Sequence, residues 1–181
     1  MFLDESGFRL TPTVRRTLAP RGKTPILRSW DRHDRISAVS AITVSPSRRR
    51  VGLDFKLLPD DANVHGEDPV AFRRELRRQL PVPMTILWDR GNVPDRSKAV
   101  RAYLADHPAI ETEPLPSDTL EANPDEGVWG YTKYGRLANF APEDTDELRA
   151  ARVAELSRLH RRPKLLASFI RHAGIPIRLR L

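Results

Sequence analysis

Two strand-like segments separated by a short basic stretch limit most strongly what this chain can fold into. The segment RISAVSAITVS, residues 35–45, is rich in β-branched and small apolar residues, and VGLDFKLL, residues 51–58, alternates in polarity. The intervening PSRRR, residues 46–50, has the composition of a turn. This pattern predicts two antiparallel strands joined as a hairpin, so the fold contains a sheet that begins antiparallel.

The segment before the hairpin contributes a further strand. Residues 1–10, MFLDESGFRL, predict a strand with a break at Ser6-Gly7, and Met1 to Leu3 resemble the end of a buried strand rather than its beginning. Residues 11–28 hold three prolines and five basic residues, which predicts an irregular arm rather than a helix.

After the hairpin, helical and strand patterns alternate. Helical spacing covers residues 67–80 and 95–107, and apolar strand patterns cover 82–89 and 109–116. A third helix is predicted from Pro124, with Asn123 as its N-cap. Two more helices are predicted near the end of the chain, over residues 143–160 and 163–172.

This order predicts an α/β fold with a mixed sheet, in which antiparallel hairpin strands precede βα units and helices pack on both faces. We expect residues 1–142 to form the main domain and residues 143–181 to form a C-terminal helical extension packed on it. In the extension, an apolar stripe suits packing on the sheet as well as packing on a partner; it comprises Leu148, Val153, Leu156 and Leu159.

Composition narrows the class of protein. The 181 residues suffice for one domain with a hydrophobic core. The formal net charge of +7 favours a polyanionic partner, with nucleic acid the usual one, although a solvated basic surface remains the alternative. The absence of cysteine excludes disulfides and thiolate metal sites. No long apolar run or signal peptide is present, so we expect a cytoplasmic protein without a membrane partner.

Three acids stand at the ends of predicted elements. Asp4 follows Phe2-Leu3, Asp89 follows the strand MTILW, and Glu126 lies in the first turn of the helix that starts at Pro124. Singly, each has a structural explanation: a turn cap for Asp4, a pair with Arg90 or a cap for Asp89, and a favourable helix-dipole position for Glu126. Together they predict an oxygen-ligand site for Mg²⁺ or Mn²⁺.

Several blocks of the chain resemble the catalytic domain of DDE transposases, in the bacterial insertion-sequence branch of the mariner-like superfamily. FLDESGFRLTP is similar to the family's first block and ILWDRGNVPDRSKAV to its second. EANPDEGVWGYTK resembles the third, with its Asn-Pro-x-Glu-x-x-Trp core, and YGRLANFAPEDTDELRAA resembles the family's tail.

The resemblance implies a ribonuclease H-like fold and a metal-binding catalytic triad of Asp4, Asp89 and Glu126. It also implies two Mg²⁺ or Mn²⁺ ions and a reaction that cleaves and transfers DNA strands. Double-stranded DNA would be the partner, as transposon ends and target. A second copy, or a partner chain carrying the family's helix-turn-helix region, would accompany it.

Some positions depart from the family pattern. Pro94 stands where members often have histidine, SDTLEA replaces a block with Tyr and Pro-Asp-Leu, and no helix-turn-helix region precedes the catalytic blocks. The alternatives are therefore an inactive transposase remnant that binds DNA non-specifically, or another ribonuclease H-like nuclease such as a junction resolvase.

The remaining interpretations concern single side chains around the third block. Trp129 is expected in the core rather than stacked on DNA, and Lys133 contacts a phosphate or is merely solvated. Asp125 is an alternative ligand to Glu126, but neighbouring helix positions diverge by about 100°, so only one faces the metals. The expected DNA-backbone contacts are Arg15, Arg16, Arg21, Lys23, Lys133 and the arginines at 48–50.

Overall fold

A five-stranded mixed sheet forms the centre of the computed structural model, which describes residues 1–29, 34–60, 83–88, 98–115 and 122–181. The strands are arranged in the order β3-β2-β1-β4-β5. Their bounds are β1 Phe2–Arg9, β2 Arg35–Val44, β3 Val51–Asp60, β4 Met84–Trp88 and β5 Ile110–Pro114. The helices are α1 Lys98–Ala105, α2 Pro124–Gly130, α3 Thr145–His160 and α4 Pro163–His172, and a π-helical segment, Tyr131–Arg136, continues α2.

The predicted hairpin is present. β2 and β3 pair antiparallel, with Val44 opposite Val51 across the turn, and a register shift interrupts the ladder between Ile36 and Ala38. β1 also pairs antiparallel with β2, whereas β4 pairs parallel with both β1 and β5. The sheet therefore changes from antiparallel to parallel at β1, as the predicted order of hairpin and βα units requires.

β1 corrects two expectations from the sequence. It runs without a break through Ser6-Gly7, which pair with Ala38 and Ser37 of β2, and Met1 to Leu3 lie at its start. Gly7 does not interrupt the strand, because the antiparallel neighbour β2 supplies its backbone partners. With β2 on one side and β4 on the other, β1 is the central strand of the sheet.

Each face of the sheet carries a hydrophobic core. One face packs against α2, α3 and α4 through side chains that include Phe2, Phe8, Ile42, Trp129 and Leu156. The other packs against α1, where Val100 and Tyr103 meet Leu3, Val39 and Ile86. Helices thus lie on both faces, and the fold is the ribonuclease H-like mixed sheet expected from the sequence. The helix predicted over residues 67–80 lies outside the described residues.

The helix α3 is fastened to the edge strand β3 at two points. The Arg149 guanidinium donates to the Leu58 carbonyl at 2.7 Å, and the His160 ring nitrogen Nδ1 lies 2.6 Å from the Leu53 carbonyl. These residues are three helical turns apart, so one face of α3 follows the sheet along its length. No helix in the described part of the chain is both long and apolar enough to cross a membrane.

Candidate metal centre

Asp4 lies in the middle of the central strand, opposite Ser40 of β2. Side chains alternate along a strand, so Asp4 shares the face of Phe2, Ser6 and Phe8, which is the face that α2 covers. Its side chain is half-buried, and its Oδ2 atom has no hydrogen-bond partner in the described structure. A carboxylate oxygen in this state is costly unless a proton or a cation accompanies it.

The start of α2 is attached to β1 beside Asp4. Asn123 caps the helix, since its side-chain oxygen accepts from the Asp125 backbone N–H at 3.1 Å. Its side-chain nitrogen donates to the Leu3 carbonyl at 3.1 Å. Pro124 occupies the first turn, where its missing N–H costs nothing. One asparagine therefore sets both the start of the helix and its position against the strand that carries Asp4.

The two adjacent acids of α2 lie in different environments. Asp125 is fully buried and accepts a hydrogen bond from the Ser40 hydroxyl, whereas Glu126 is exposed. Burial raises the pKa of Asp125 well above its usual range, which favours the protonated form of this carboxyl. Glu126 is consequently the acid of this pair that is available to a ligand from solvent.

Asp4 and Glu126 lie close enough to influence each other. Burial, and then the negative charge of Glu126, raise the pKa of Asp4 to about 7. The Glu5 backbone N–H and the Trp129 indole N–H favour the charged form but offset only a part of this shift. The structure thus brings two of the three predicted acids together. A divalent cation bound there would stabilise their charged forms.

The third predicted acid, Asp89, lies outside the described residues. It follows β4, whose last residue Trp88 pairs with Leu3, the neighbour of Asp4. Among the described residues, no group of three or more acidic or histidine side chains is placed to hold a metal ion. The described donors fit a hard cation all the same, because they are carboxylate oxygens and one of them is buried without a partner.

Lys133 projects from the π-helical segment toward β1. Its Nζ atom donates to the Ser6 hydroxyl at 2.5 Å and lies 4.9 Å from the centre of the Phe8 ring. Burial and the charge of Arg152 lower the pKa of Lys133, while Glu126 and Asp4 act in the opposite direction. Lys133 is thus held beside the acids and is not a freely solvated lysine.

Comparison with known proteins identifies the family to which the chain belongs. The profile of the family described as DDE superfamily endonuclease matches residues 1–149. The chain belongs to this family. No curated protein sequence matches it.

Solved structures of Mos1 transposase share the fold of this chain. The pre-cleavage Mos1 transpososome superposes with a TM-score of 0.60 at 14% identity, over 97% of this chain and 56% of that one. The Mos1 strand transfer complex superposes with a TM-score of 0.58 at 15% identity, over 97% of this chain and 55% of that one. The Mos1 paired end complex with Mn superposes with a TM-score of 0.57 at 14% identity, over 97% of this chain and 56% of that one. The chain therefore spans just over half the length of these transposases.

Apart from Lys133, the predicted DNA contacts lie on two exposed segments. Arg15, Arg16, Arg21 and Lys23 are exposed on the irregular arm that follows β1. The arm is anchored at Asn139, whose side chain accepts from the Arg15 backbone N–H at 2.7 Å and donates to its carbonyl at 2.9 Å. The arginines at 48–50 are exposed in the hairpin turn.

Trp129 occupies the core, as expected, since it is 2% exposed and contacts Phe8 edge-to-face at 5.5 Å. The apolar stripe expected on α3 needs a correction. Val153 is 41% exposed, and Arg152 is buried in its place. Arg152 is four residues from both Leu148 and Leu156, so helical spacing already places it on the buried stripe. Because arginine is charged, the pattern of hydrophobic residues did not mark this position as buried.

Proposed function

We propose that this DDE endonuclease is the catalytic domain of a transposase, of the bacterial insertion-sequence branch of the mariner-like superfamily. It cleaves DNA strands and transfers them to target DNA in a metal-dependent reaction. The observation that carries the proposal is the proximity of Asp4 and Glu126, where a half-buried carboxylate with an unsatisfied oxygen faces a second carboxylate.

Asp4, Asp89 and Glu126 are the residues that would hold Mg²⁺ or Mn²⁺. When bound, two such ions activate an attacking water or hydroxyl and stabilise the leaving oxygen. The chain's own residues prepare this site: Asn123 fixes the start of α2 against β1, and the buried Trp129 anchors the helix one turn after Glu126. Lys133 places a positive charge beside the carboxylates, where it favours an anionic phosphodiester.

Double-stranded DNA, as transposon ends and target, is the proposed partner. The arm and hairpin arginines give affinity for phosphates but carry no base-specific information. A second copy, or a partner chain with a helix-turn-helix region, is the further proposed partner. Mos1 transposase supports the proposal of DNA as a partner by analogy, since its structures include a transpososome and a strand transfer complex.

The first test is Mn²⁺ binding by isothermal titration calorimetry at low salt. We expect binding by the wild type, and loss of at least tenfold in affinity for Asp4→Asn, Asp89→Asn and Glu126→Gln. Asp125→Asn is the matched control, because Asp125 is fully buried against Ser40 and an amide has nearly the same shape as a carboxyl. If Asp125→Asn abolishes binding while Glu126→Gln does not, the assignment of ligands is wrong.

Nicking of supercoiled plasmid in Mn²⁺ then tests the chemistry. The wild type and Asp125→Asn are expected to nick, and the three ligand variants are not. Metal binding without nicking would favour the alternative function, an inactive module that binds DNA non-specifically.

A further inference from the structure

A cavity of about 190 Å³ lies beside the candidate metal centre, between the end of β1, the segment after it, the π-helical segment and α3. Its walls include Phe8, Thr11, Thr13, Lys133 and Arg152. None of the described side chains that line it is acidic. The volume is several times the ~30 Å³ that one water occupies in the liquid, so it has room for a small polyatomic ligand.

Arg152 is the unusual member of this wall. It is 5% exposed, and its Nε and Nη1 atoms have no hydrogen-bond partner in the described structure. Its guanidinium carbon lies 3.9 Å from the centre of the Phe8 ring, so the ring face compensates part of the charge. A ring face does not satisfy the N–H groups, and buried arginines normally pair with a carboxylate or phosphate.

Lys133 brings a second cation to the same ring. Its Nζ atom lies 4.9 Å from the Phe8 centre, and its charge and that of Arg152 disfavour each other. Burial lowers the pKa of Arg152 to about 10, and no acid offsets this effect. Two cations with unused donors therefore meet at one cavity, and an anion would relieve both the repulsion and the missing hydrogen bonds.

We propose that this cavity binds a single phosphate group, held by the Arg152 guanidinium and the Lys133 ammonium. Arginine suits this ligand because its planar N–H groups match two phosphate oxygens at once. Phe8 is four residues from Asp4 on the same face of β1, which is about 13 Å at ~3.3 Å per residue. If the proposed function holds, the phosphate is a DNA backbone phosphodiester a short distance along the strand from the bond that is cut.

The test uses inorganic phosphate as the probe, with EDTA present. The unfolding temperature is measured in a phosphate titration and in a chloride titration at equal ionic strength. We expect saturable stabilisation by phosphate for the wild type and at least tenfold weaker binding for Arg152→Met. Arg158→Met is the control, since Arg158 lies on the same helix but is exposed and already paired with Glu155 at 2.6 Å.

Stability without phosphate provides a second readout. Replacing an unpaired buried cation by methionine removes a desolvation cost, so Arg152→Met is expected to unfold at the same or a higher temperature in chloride. If Arg152→Met does not fold, Lys133→Met tests the same cavity, because Lys133 lines it and is only half-buried. This variant is expected to weaken phosphate binding. Equal effects of phosphate and chloride on the wild type would overturn the proposal.

Fluorescence anisotropy with a short DNA duplex, again in EDTA, distinguishes the source of the phosphate. Weaker duplex binding by Arg152→Met than by Arg158→Met, together with competition by inorganic phosphate, identifies a backbone phosphodiester. Phosphate binding without any effect on the duplex identifies a free phosphate ligand. Because no metal is present, these results are independent of whether Asp4 and Glu126 bind Mn²⁺.

Discussion

At the scale of single residues, the candidate centre depends on how burial sorts neighbouring acids. Asp125 and Glu126 are adjacent in sequence, yet Asp125 is fully buried against Ser40 while Glu126 is exposed. Asp4 is half-buried, so its exposure lies between that of Asp125 and that of Glu126. Burial and the charge of Glu126 raise its pKa. The same residue type therefore serves as a hydrogen-bonded core group in one place and as a candidate ligand in another.

The pKa of Asp4 predicts how stability depends on pH without metal. In the folded chain this carboxyl keeps its proton up to about pH 7, whereas the unfolded chain loses it near the ordinary pKa of 3.8. The folded state thus binds more protons between these values, and the contribution of Asp4 to the free energy of unfolding falls as pH rises. At ~1.4 kcal/mol per pKa unit, the full cost above pH 7 is at most about 4 kcal/mol.

Asp4→Asn is expected to remove this cost. In EDTA, its free energy of unfolding relative to the wild type should rise from about zero near pH 4 to about 2–4 kcal/mol at pH 8. Urea unfolding across this pH range measures the difference. A difference that does not change with pH would show that Asp4 is ionised normally in the folded chain.

At the scale of elements, the candidate site depends on a helix too short to be stable by itself. α2 has seven residues, and isolated helices of this length do not persist in water. The Asn123 cap holds its start, and close packing on α4 supports its middle, at Gly127. A Cβ atom at Gly127 would lie 2.7 Å from the Phe169 ring, so glycine permits this approach.

Gly127→Ala is therefore expected to separate α2 from α4, at a cost of about 1–3 kcal/mol in the free energy of unfolding. Gly130→Ala is the matched control, because a Cβ there meets nothing within 4 Å. The control should be neutral or gain up to about 1 kcal/mol from helix propensity. Urea unfolding of both variants decides the point, and equal stability would contradict the close packing.

At the scale of the whole molecule, charge and sheet topology act together. The chain has a net charge of +7, and the exposed basic side chains of the arm follow directly from the strand that carries Asp4. Asn139 holds the arm against the π-helical segment, where the Arg15 guanidinium also donates to the Tyr134 carbonyl at 2.8 Å. A polyanion bound to the arm would thus lie near the candidate centre.

Replacing Arg16, Arg21 and Lys23 by alanine is expected to weaken DNA binding for all sequences alike. Each lost phosphate contact lowers the slope of log K against log salt by about 0.9, so the slope should fall by up to about 3. Anisotropy titrations at several salt concentrations measure it. The control replaces Arg161, Lys164 and Arg171, which are exposed outside the arm. Equal slopes for the two triple variants would show that the arm has no special role.

The sequence by itself determined the order and type of the elements. Periodicity predicted the hairpin, the apolar strand β4 and the helix over residues 163–172 because alternation and helical spacing are local properties. Asn123-Pro124 likewise marked the start of α2, since a cap and a first-turn proline act within one turn. Glu126 was a candidate ligand because it lies in the first turn of a helix, but the strand end predicted at Asp4 was wrong, since Asp4 lies within β1.

Only the tertiary structure decided how these residues are used. Whether β1 breaks at Gly7 depends on the neighbours that pair with it, and these come from distant segments. The burial of Asp125 depends on Ser40, 85 positions away. The burial of Arg152 depends on Phe8, which covers its charge with a ring. Burial and pairing arise from contacts between segments far apart in the chain, so a local pattern cannot specify them.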